Sequence, residues 1–290
     1  MGLSTSLFET LHLLSKSLIE ALPTEERLVL TFGEQTFYEK DTIKFIICLA
    51  RLGYIQIAPP PSSASNPHQP TSYCDLINKI HECLATGKKS IGLISNHQTL
   101  GNKLERMMAG HVDQDIFFSL LGADKVISAD VSSYEGADFV IDLNKATNPA
   151  LQQKFPIVFD GGTLEHCFNV QSALINACQL VKPGGLIIHC NPCWGAPGHG
   201  FYQMSPEFYW QYYTSNLWTL HSLRCLVTFP SLRDVPYFLT GEINPIHNLG
   251  DFVQGCAPHG SVGNIICIAQ RNHCSTTTVT PVQGLYKFNE

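Results

Sequence analysis

The chain has 290 residues, of which 44% are hydrophobic and only 14% are charged, and its formal net charge is −6. This composition is typical of a globular protein, and it excludes intrinsic disorder, collagen-like repeats and coiled coil. Between residues 155 and 223 the sequence contains a single lysine or arginine, Lys182. Because binding to a nucleic-acid backbone needs clustered cations, we expect no nucleic-acid partner.

The cysteines and the apolar segments predict where the protein is located. The sequence has 11 cysteines, an odd number, and its first residues do not form a charged segment followed by a long apolar one. This pattern favours reduced thiols and a cytoplasmic location over a secreted disulfide framework. The longest apolar runs, at residues 45–50 and 263–269, are far shorter than the roughly 18 residues that span a membrane, so we expect no membrane association.

The first 88 residues are predicted to form an N-terminal helical module. Leucines at 7, 11, 14, 18 and 22 follow the spacing of an amphipathic helix over residues 7–22, and a second apolar helix is predicted over 43–52. Residues 58–72 are rich in proline and serine and are predicted to form a loop. We expect the module to cap a pocket or to mediate the formation of a homodimer.

Residues 89–290 alternate short apolar runs with helical segments, which is typical of βαβ units. We predict an α/β fold: a Rossmann-like, seven-stranded, mostly parallel sheet flanked by helices. The predicted strands are 90–95, 125–129, 139–141, 157–159, 186–190, 223–229 and 265–270. The predicted helices are 101–110, 113–121, 169–181 and 205–218, the last with Ser205 as its N-cap.

Polar residues follow several of the predicted strands. Ligands of open α/β sheets bind at the carboxyl ends of the strands, where the strand order reverses. A carboxylate after the second strand suits a ribose diol, and one after the third suits an adenine amino group. The sequence therefore predicts a nucleoside site. Its candidate residues are Asn96, His97, Gln98, Gly101, Asp130, Val131, Asp142, Leu143, Asp160, Gly161 and Gly162.

Four segments of the sequence together resemble the motifs of a known family. They are VISAD at 126–130, FVIDL at 139–143, IVFDGGTLEH at 157–166 and LVKPGG at 180–185. Over about residues 90–270 the chain resembles a class I S-adenosylmethionine-dependent methyltransferase. The resemblance implies that S-adenosylmethionine is the cofactor, that Asp130 binds its ribose, that Asp142 and Leu143 border its adenine, and that Asp160 and Gly161 lie beside its methionine.

The first predicted loop departs from the family pattern. The family has an acid followed by Gly-x-Gly-x-Gly, whereas residues 95–101 contain one glycine, so Asn96, His97 and Gln98 would contact the methionine carboxylate themselves. This departure leaves open an alternative, a non-catalytic binding or scaffold protein of the same fold. A nicotinamide-dependent oxidoreductase would need a Gly-x-Gly-x-x-Gly that this unit lacks.

Methyl transfer needs alignment and, for a hydroxyl or a protonated amine, a general base. We expect His166 and His199 to be catalytic, and Glu165, Tyr202 and Trp194 to contact the substrate. Because the segment 155–223 has almost no cations, we expect an apolar or weakly polar small molecule as the acceptor, methylated on oxygen or nitrogen.

No metal site is predicted. Cys190 and Cys193 form a single Cys-x-x-Cys pair without a second pair, and the 12 histidines include no His-x-x-x-His or His-Glu-x-x-His motif. The two cysteines are expected to be buried thiols.

Overall fold

The structure is a computed structural model that describes residues 5–33, 35, 45, 48–49, 52, 55–57, 93–95, 114–134, 136–228, 238–242 and 261–283. It begins with two short helices, α1 at Thr5–Leu14 and α2 at Lys16–Glu20. The sequence predicts one helix here. The break falls at Ser15, whose hydroxyl donates a 2.7 Å hydrogen bond to the carbonyl of Leu11.

The strands that the structure describes belong to two sheets. They are β1 Leu28–Phe32, β2 Ile55–Ile57, β3 Leu93–Ser95, β4 Lys125–Asp130, β5 Phe139–Val140, β6 Phe155–Asp160, β7 Val181–Trp194, β8 Thr219–Thr228, β9 Phe238–Glu242 and β10 Val262–Gln270. Strands β2 and β3 pair with each other, antiparallel. The other eight form the main sheet in the order β5-β4-β1-β6-β7-β10-β8-β9.

The predicted fold class is confirmed. Strands β5, β4, β1, β6 and β7 are parallel neighbours, whereas β10 is antiparallel to both β7 and β8, and β9 is antiparallel to β8. The sheet is therefore mostly parallel. It has eight strands in the described residues rather than seven, because the prediction missed β1 and β9 and assigned β3 to this sheet.

Strand β1, which the sequence did not predict, is the main correction to the predicted sheet. It lies between β4 and β6, with Val29 opposite Val126 on one side and Ile157 on the other. The sequence prediction includes this segment in the helical module of residues 1–88. In the structure one turn of 3-10 helix, Thr24–Glu26, precedes the strand. The boundary predicted between residues 88 and 89 thus does not mark the start of the sheet, which already has a strand at Leu28–Phe32.

Alternating residues of the central strands fill two cores. Val29, Ile157 and Phe159 pack on one face with α1 and with α3, the helix at Gln114–Leu120. Leu30 and Val158 pack on the other face with α4 at Val170–Leu180 and α5 at Pro206–Ser215. This alternation is what a strand buried on both faces requires.

The helices predicted over residues 169–181 and 205–218 begin where they were expected to. The side chain of Asn169 accepts a hydrogen bond from the amide of Ser172 at α4, and Ser205 accepts one from the amide of Glu207 at α5. The predicted loop 58–72 and helix 101–110 lie outside the described residues, as does most of the helix predicted over 43–52. Among the helices that the structure describes, none has the length and apolar character to cross a bilayer.

Candidate functional site

The carboxyl ends of β1, β4, β5 and β6 meet at one edge of the sheet. Strand β1 has β4 on one side and β6 on the other, so the chain order reverses beside it, which is where open α/β sheets bind ligands. A cavity of about 280 Å³ lies at this point. It is lined by Phe32, Gly33, Ala129, Asp130, Val131, Ile141, Asp142, Leu143, Asn144, Thr163, His166 and Cys167.

The turn after β1 is built on a glycine. Gly33 has a φ of +73°, in the left-handed region, and its amide donates a 2.7 Å hydrogen bond to the carbonyl of Ala129. A Cβ on Gly33 would lie 3.7 Å from Oδ2 of Asp130. The turn beside the central strand is therefore the one that contains Gly33, and not the predicted loop at residues 95–101. The predicted cofactor residues Asn96, His97, Gln98 and Gly101 lie outside the described residues.

The turns after β1 and β6 pack closely. The side chain of Gln35 donates a 2.8 Å hydrogen bond to the carbonyl of Phe32. A Cβ on Gly161 would lie 2.7 Å from Oε1 of Gln35, so a larger residue would displace this side chain. Gly162 has a φ of +97°. The two glycines after β6 thus bring this turn against β1 and give the edge of the sheet its shape.

Asp130 and Asp142 line the cavity, together with Val131 and Leu143, and their contacts with a cofactor stay predictions. Oδ1 of Asp130 accepts a 3.1 Å hydrogen bond from the amide of Ser132. Asp142 forms a 2.9 Å ion pair with Lys145 and accepts hydrogen bonds from Asn144. The hydrogen bond from Lys145 and those from Asn144 lower the pKa of the Asp142 carboxyl. Both carboxylates are therefore accessible and held by their own loops.

Asp160 does not line the cavity, and its side chain is buried. Oδ1 accepts hydrogen bonds from the amides of Thr163 and Leu164, and Oδ2 contacts Nδ1 of His189 at 2.8 Å. The cause is the register of the sheet, since His189 stands directly opposite Asp160 on β7. Asp160 orders the turn that follows β6, and its contact with a cofactor remains a prediction.

Glu165, His166 and His199 come together although 34 residues separate the first from the last. Oε1 of Glu165 lies 4.0 Å from Nε2 of His166 and 3.7 Å from Nε2 of His199. Burial, and then the charge of Asp160, raise the pKa of Glu165 to about 7. Burial, and then the nearby His199, lower the pKa of His166. The cluster adjoins the cavity through His166.

Tyr202 and Trp194 are the two remaining predicted substrate contacts. Both are partly buried, and neither lines the cavity. The hydroxyl of Tyr202 donates a 2.8 Å hydrogen bond to the carbonyl of Phe168. Phe168 and Phe201 form an exposed aromatic pair beside it, with ring centroids 5.4 Å apart. The Trp194 ring packs over Gly263 and its Nε1 donates to the hydroxyl of Ser261.

Sequence reasoning missed Gly33 and Asn191. The short apolar run of β1, ended by a glycine, is the signal that could have identified Gly33. Asn191 follows a predicted strand, but its role depends on a long-range contact: its Nδ2 donates a 2.9 Å hydrogen bond to Oε2 of Glu165, and its Oδ1 accepts one from the hydroxyl of Tyr209.

No protein-family model matches the sequence, and no curated protein matches it. Solved structures give weak similarities. Geranyl diphosphate methyltransferase in complex with GPP and sinefungin is 11% identical, with 81% of this chain and 99% of that chain covered and a TM-score of 0.35. The CMeT domain of the citrinin polyketide synthase is 12% identical, with 92% and 89% covered and a TM-score of 0.35. An S-adenosylmethionine-dependent methyltransferase from Mesorhizobium loti is 15% identical, with 55% and 62% covered and a TM-score of 0.22. At these values the function has to be argued from the site residues.

Proposed function

We propose that the protein is an S-adenosylmethionine-dependent methyltransferase that acts on a small-molecule acceptor. One observation carries this proposal: the carboxylate of Asp130 and the left-handed turn of Gly33 face the same cavity, at the point where the strand order reverses. In open α/β sheets a strand-end carboxylate next to a glycine turn is suited to the ribose of a nucleoside cofactor.

The residues at this edge fit such a cofactor. Oδ1 of Asp130 accepts a bond from its own loop, so its other oxygen is the one placed to accept a bond from a ribose hydroxyl. Val131, Asp142 and Leu143 continue the wall on the β5 side and would border the adenine. Gly33 lets backbone and cofactor approach closely, because a side chain at this position would point toward Asp130.

The acceptor would lie at the other end of the cavity, where His166 and His199 meet. When bound, S-adenosylmethionine would supply a methyl group on a sulfonium for in-line displacement by an acceptor oxygen or nitrogen. The acceptor gives up a proton, for which the two imidazoles, 4.0 and 3.7 Å from the buried Glu165 carboxylate, are the candidate bases. The exposed Phe168 and Phe201 rings, and the scarcity of cations between residues 155 and 223, favour an apolar or weakly polar acceptor. Tyr202 and Trp194 remain candidate substrate contacts.

The non-catalytic alternative keeps its support. The turn after β1 contains one glycine, Gly33, and no Gly-x-Gly-x-Gly, as is also true of residues 95–101. The cytoplasmic location and the homodimer remain predictions.

Calorimetric titration with S-adenosylmethionine and S-adenosylhomocysteine tests the proposal. We expect wild type to bind both, and Asp130→Asn to bind at least about tenfold more weakly, because a hydrogen bond to a charged group contributes roughly 1.5–3 kcal/mol. Asp124→Asn is the matched control, since Asp124 is exposed and precedes the other end of β4. No binding by wild type, or equal binding by the two variants, would contradict the cofactor assignment.

A further inference from the structure

Glu165, His166 and His199 form a compact group of potential metal ligands. Their ligating atoms all lie within 4.8 Å of one another. Glu165 and His166 belong to one turn of 3-10 helix after β6, and His199 comes from the loop after β7. This loop is fixed above the turn, because the amide of Phe201 donates a 2.8 Å hydrogen bond to the carbonyl of Glu165. A Cβ on Gly200 would lie 2.9 Å from the same carbonyl.

One oxygen of Glu165 is buried without a partner. The side chain is fully buried, and Oε2 accepts the hydrogen bond from Asn191, but Oε1 has no hydrogen-bond partner in the described structure. The imidazole nitrogens that face Oε1 lie beyond hydrogen-bond distance, at 3.7 and 4.0 Å. A buried carboxylate oxygen without a partner is costly, so its position among these three side chains points to a missing cation.

We infer that Glu165, His166 and His199 bind a divalent transition-metal ion such as Zn²⁺. Two imidazoles and one carboxylate are a ligand set that such ions prefer, whereas Mg²⁺ prefers oxygen ligands. Two ligands of a tetrahedral zinc ion are roughly 3.3 Å apart at bond lengths of about 2.0–2.1 Å, so only small shifts are needed. The half-exposed imidazoles can make these shifts, while Asn191 and Tyr209 hold the carboxylate in place.

A three-ligand site leaves a coordination position for an outside molecule. His166 also lines the cavity, so this position would face the proposed acceptor. If the proposed function holds, the ion would bind an oxygen of the acceptor and lower the pKa of its hydroxyl, which favours an acceptor with a hydroxyl group. With the ion bound, the histidines would hold it and would not act as bases, because an imidazole nitrogen that binds a metal does not also accept a proton. The proton of the acceptor hydroxyl would pass to solvent water, which reaches the half-exposed imidazoles.

The experiment uses the full chain, freed of metal with a chelator and titrated with Co²⁺ in the absence of cofactor. Visible absorption reports binding, and competition with Zn²⁺ gives the relative affinity. We expect wild type to bind one Co²⁺ ion that His199→Ala and Glu165→Gln bind at least about tenfold more weakly. His273→Ala is the matched control, since His273 is exposed and follows the far end of β10. It should bind as wild type does.

His199→Ala decides the outcome even where Glu165→Gln fails to fold, because His199 lies in an exposed loop. Equal Co²⁺ binding by wild type and His199→Ala would overturn the inference. Calorimetry with S-adenosylmethionine on the same proteins separates the two proposals. Loss of Co²⁺ binding with retained cofactor binding in His199→Ala supports the metal site, whereas a wild type that binds Co²⁺ but no cofactor contradicts only the proposed function.

Discussion

Four acidic side chains at the same edge of the sheet have opposite surroundings on its two sides. Asp130 and Asp142, after β4 and β5, are partly exposed and held by short-range hydrogen bonds from their own loops. Asp160, at the end of β6, and Glu165, in the turn after it, are fully buried. Side chains from β7 contact both, and two amides of the turn also donate to Asp160. The same chemical group thus lies in two environments. The first pair is available to a ligand, whereas the second pair is held in the interior, where Oε1 of Glu165 alone is left for the proposed metal ion.

Removal of one acid from each side should show the largest difference in stability between the two pairs. Asp160→Ala leaves Nδ1 of His189 and the amides of Thr163 and Leu164 without their partner in the interior, and we expect it to lower the free energy of unfolding by about 3 kcal/mol or more. Asp142→Ala removes a surface carboxylate and should leave the unfolding midpoint almost unchanged. Urea denaturation followed by circular dichroism measures both. Similar losses in the two variants would show that the burial of Asp160 does not stabilise the fold.

An asparagine donates to a carboxylate on each side, which gives a second matched pair. Asn191→Ala leaves Oε2 of Glu165 and the hydroxyl of Tyr209 unpaired in the interior. We therefore expect it to lower the free energy of unfolding by about 2 kcal/mol. Asn144→Ala, at an exposed position beside Asp142, should cost about 0.5 kcal/mol or less. The same denaturation series tests this, and a larger loss for Asn144→Ala would reverse the proposed order.

Two glycines allow an effect on the cavity to be separated from an effect on stability. Gly33 and Gly136 have similar positive φ values, +73° and +78°, so Gly→Ala should destabilise each by about 1–2 kcal/mol. Only Gly33 lines the cavity; a Cβ on Gly136 meets no atom within 4 Å. We therefore expect Gly33→Ala alone to weaken S-adenosylmethionine binding, roughly fivefold or about 1 kcal/mol by calorimetry. If Gly136→Ala weakened S-adenosylmethionine binding equally, the loss of binding would result from lower stability and not from a change at the cavity.

Local sequence patterns predicted the parts of the molecule that depend on neighbouring residues. The predicted N-cap Ser205 and the predicted helix start at Asn169 both follow from side chains that bond to amides two or three positions away. The polar ends of β4 and β5 follow from short apolar runs that end in an acid. These features need no knowledge of the rest of the chain, so the fold class and the Asp130 side of the site could be predicted.

The parts that depend on pairing between distant segments could not be predicted. Strand β1 is a five-residue run, and only its register with β4 and β6 identifies it as a central strand. The burial of Asp160 depends on which residue β7 places opposite it. The group formed by Glu165 and His199 depends on how the loop after β7 folds back, and no motif in the sequence records this contact.

A crystal structure of the protein with S-adenosylhomocysteine tests the central claim most directly. We expect the ribose hydroxyls to lie within hydrogen-bond distance of the Asp130 carboxylate, with the turn of Gly33 beside the cofactor and Leu143 against the adenine. Cofactor bound at another place on the chain, or bound in this cavity without contact to Asp130, would contradict it.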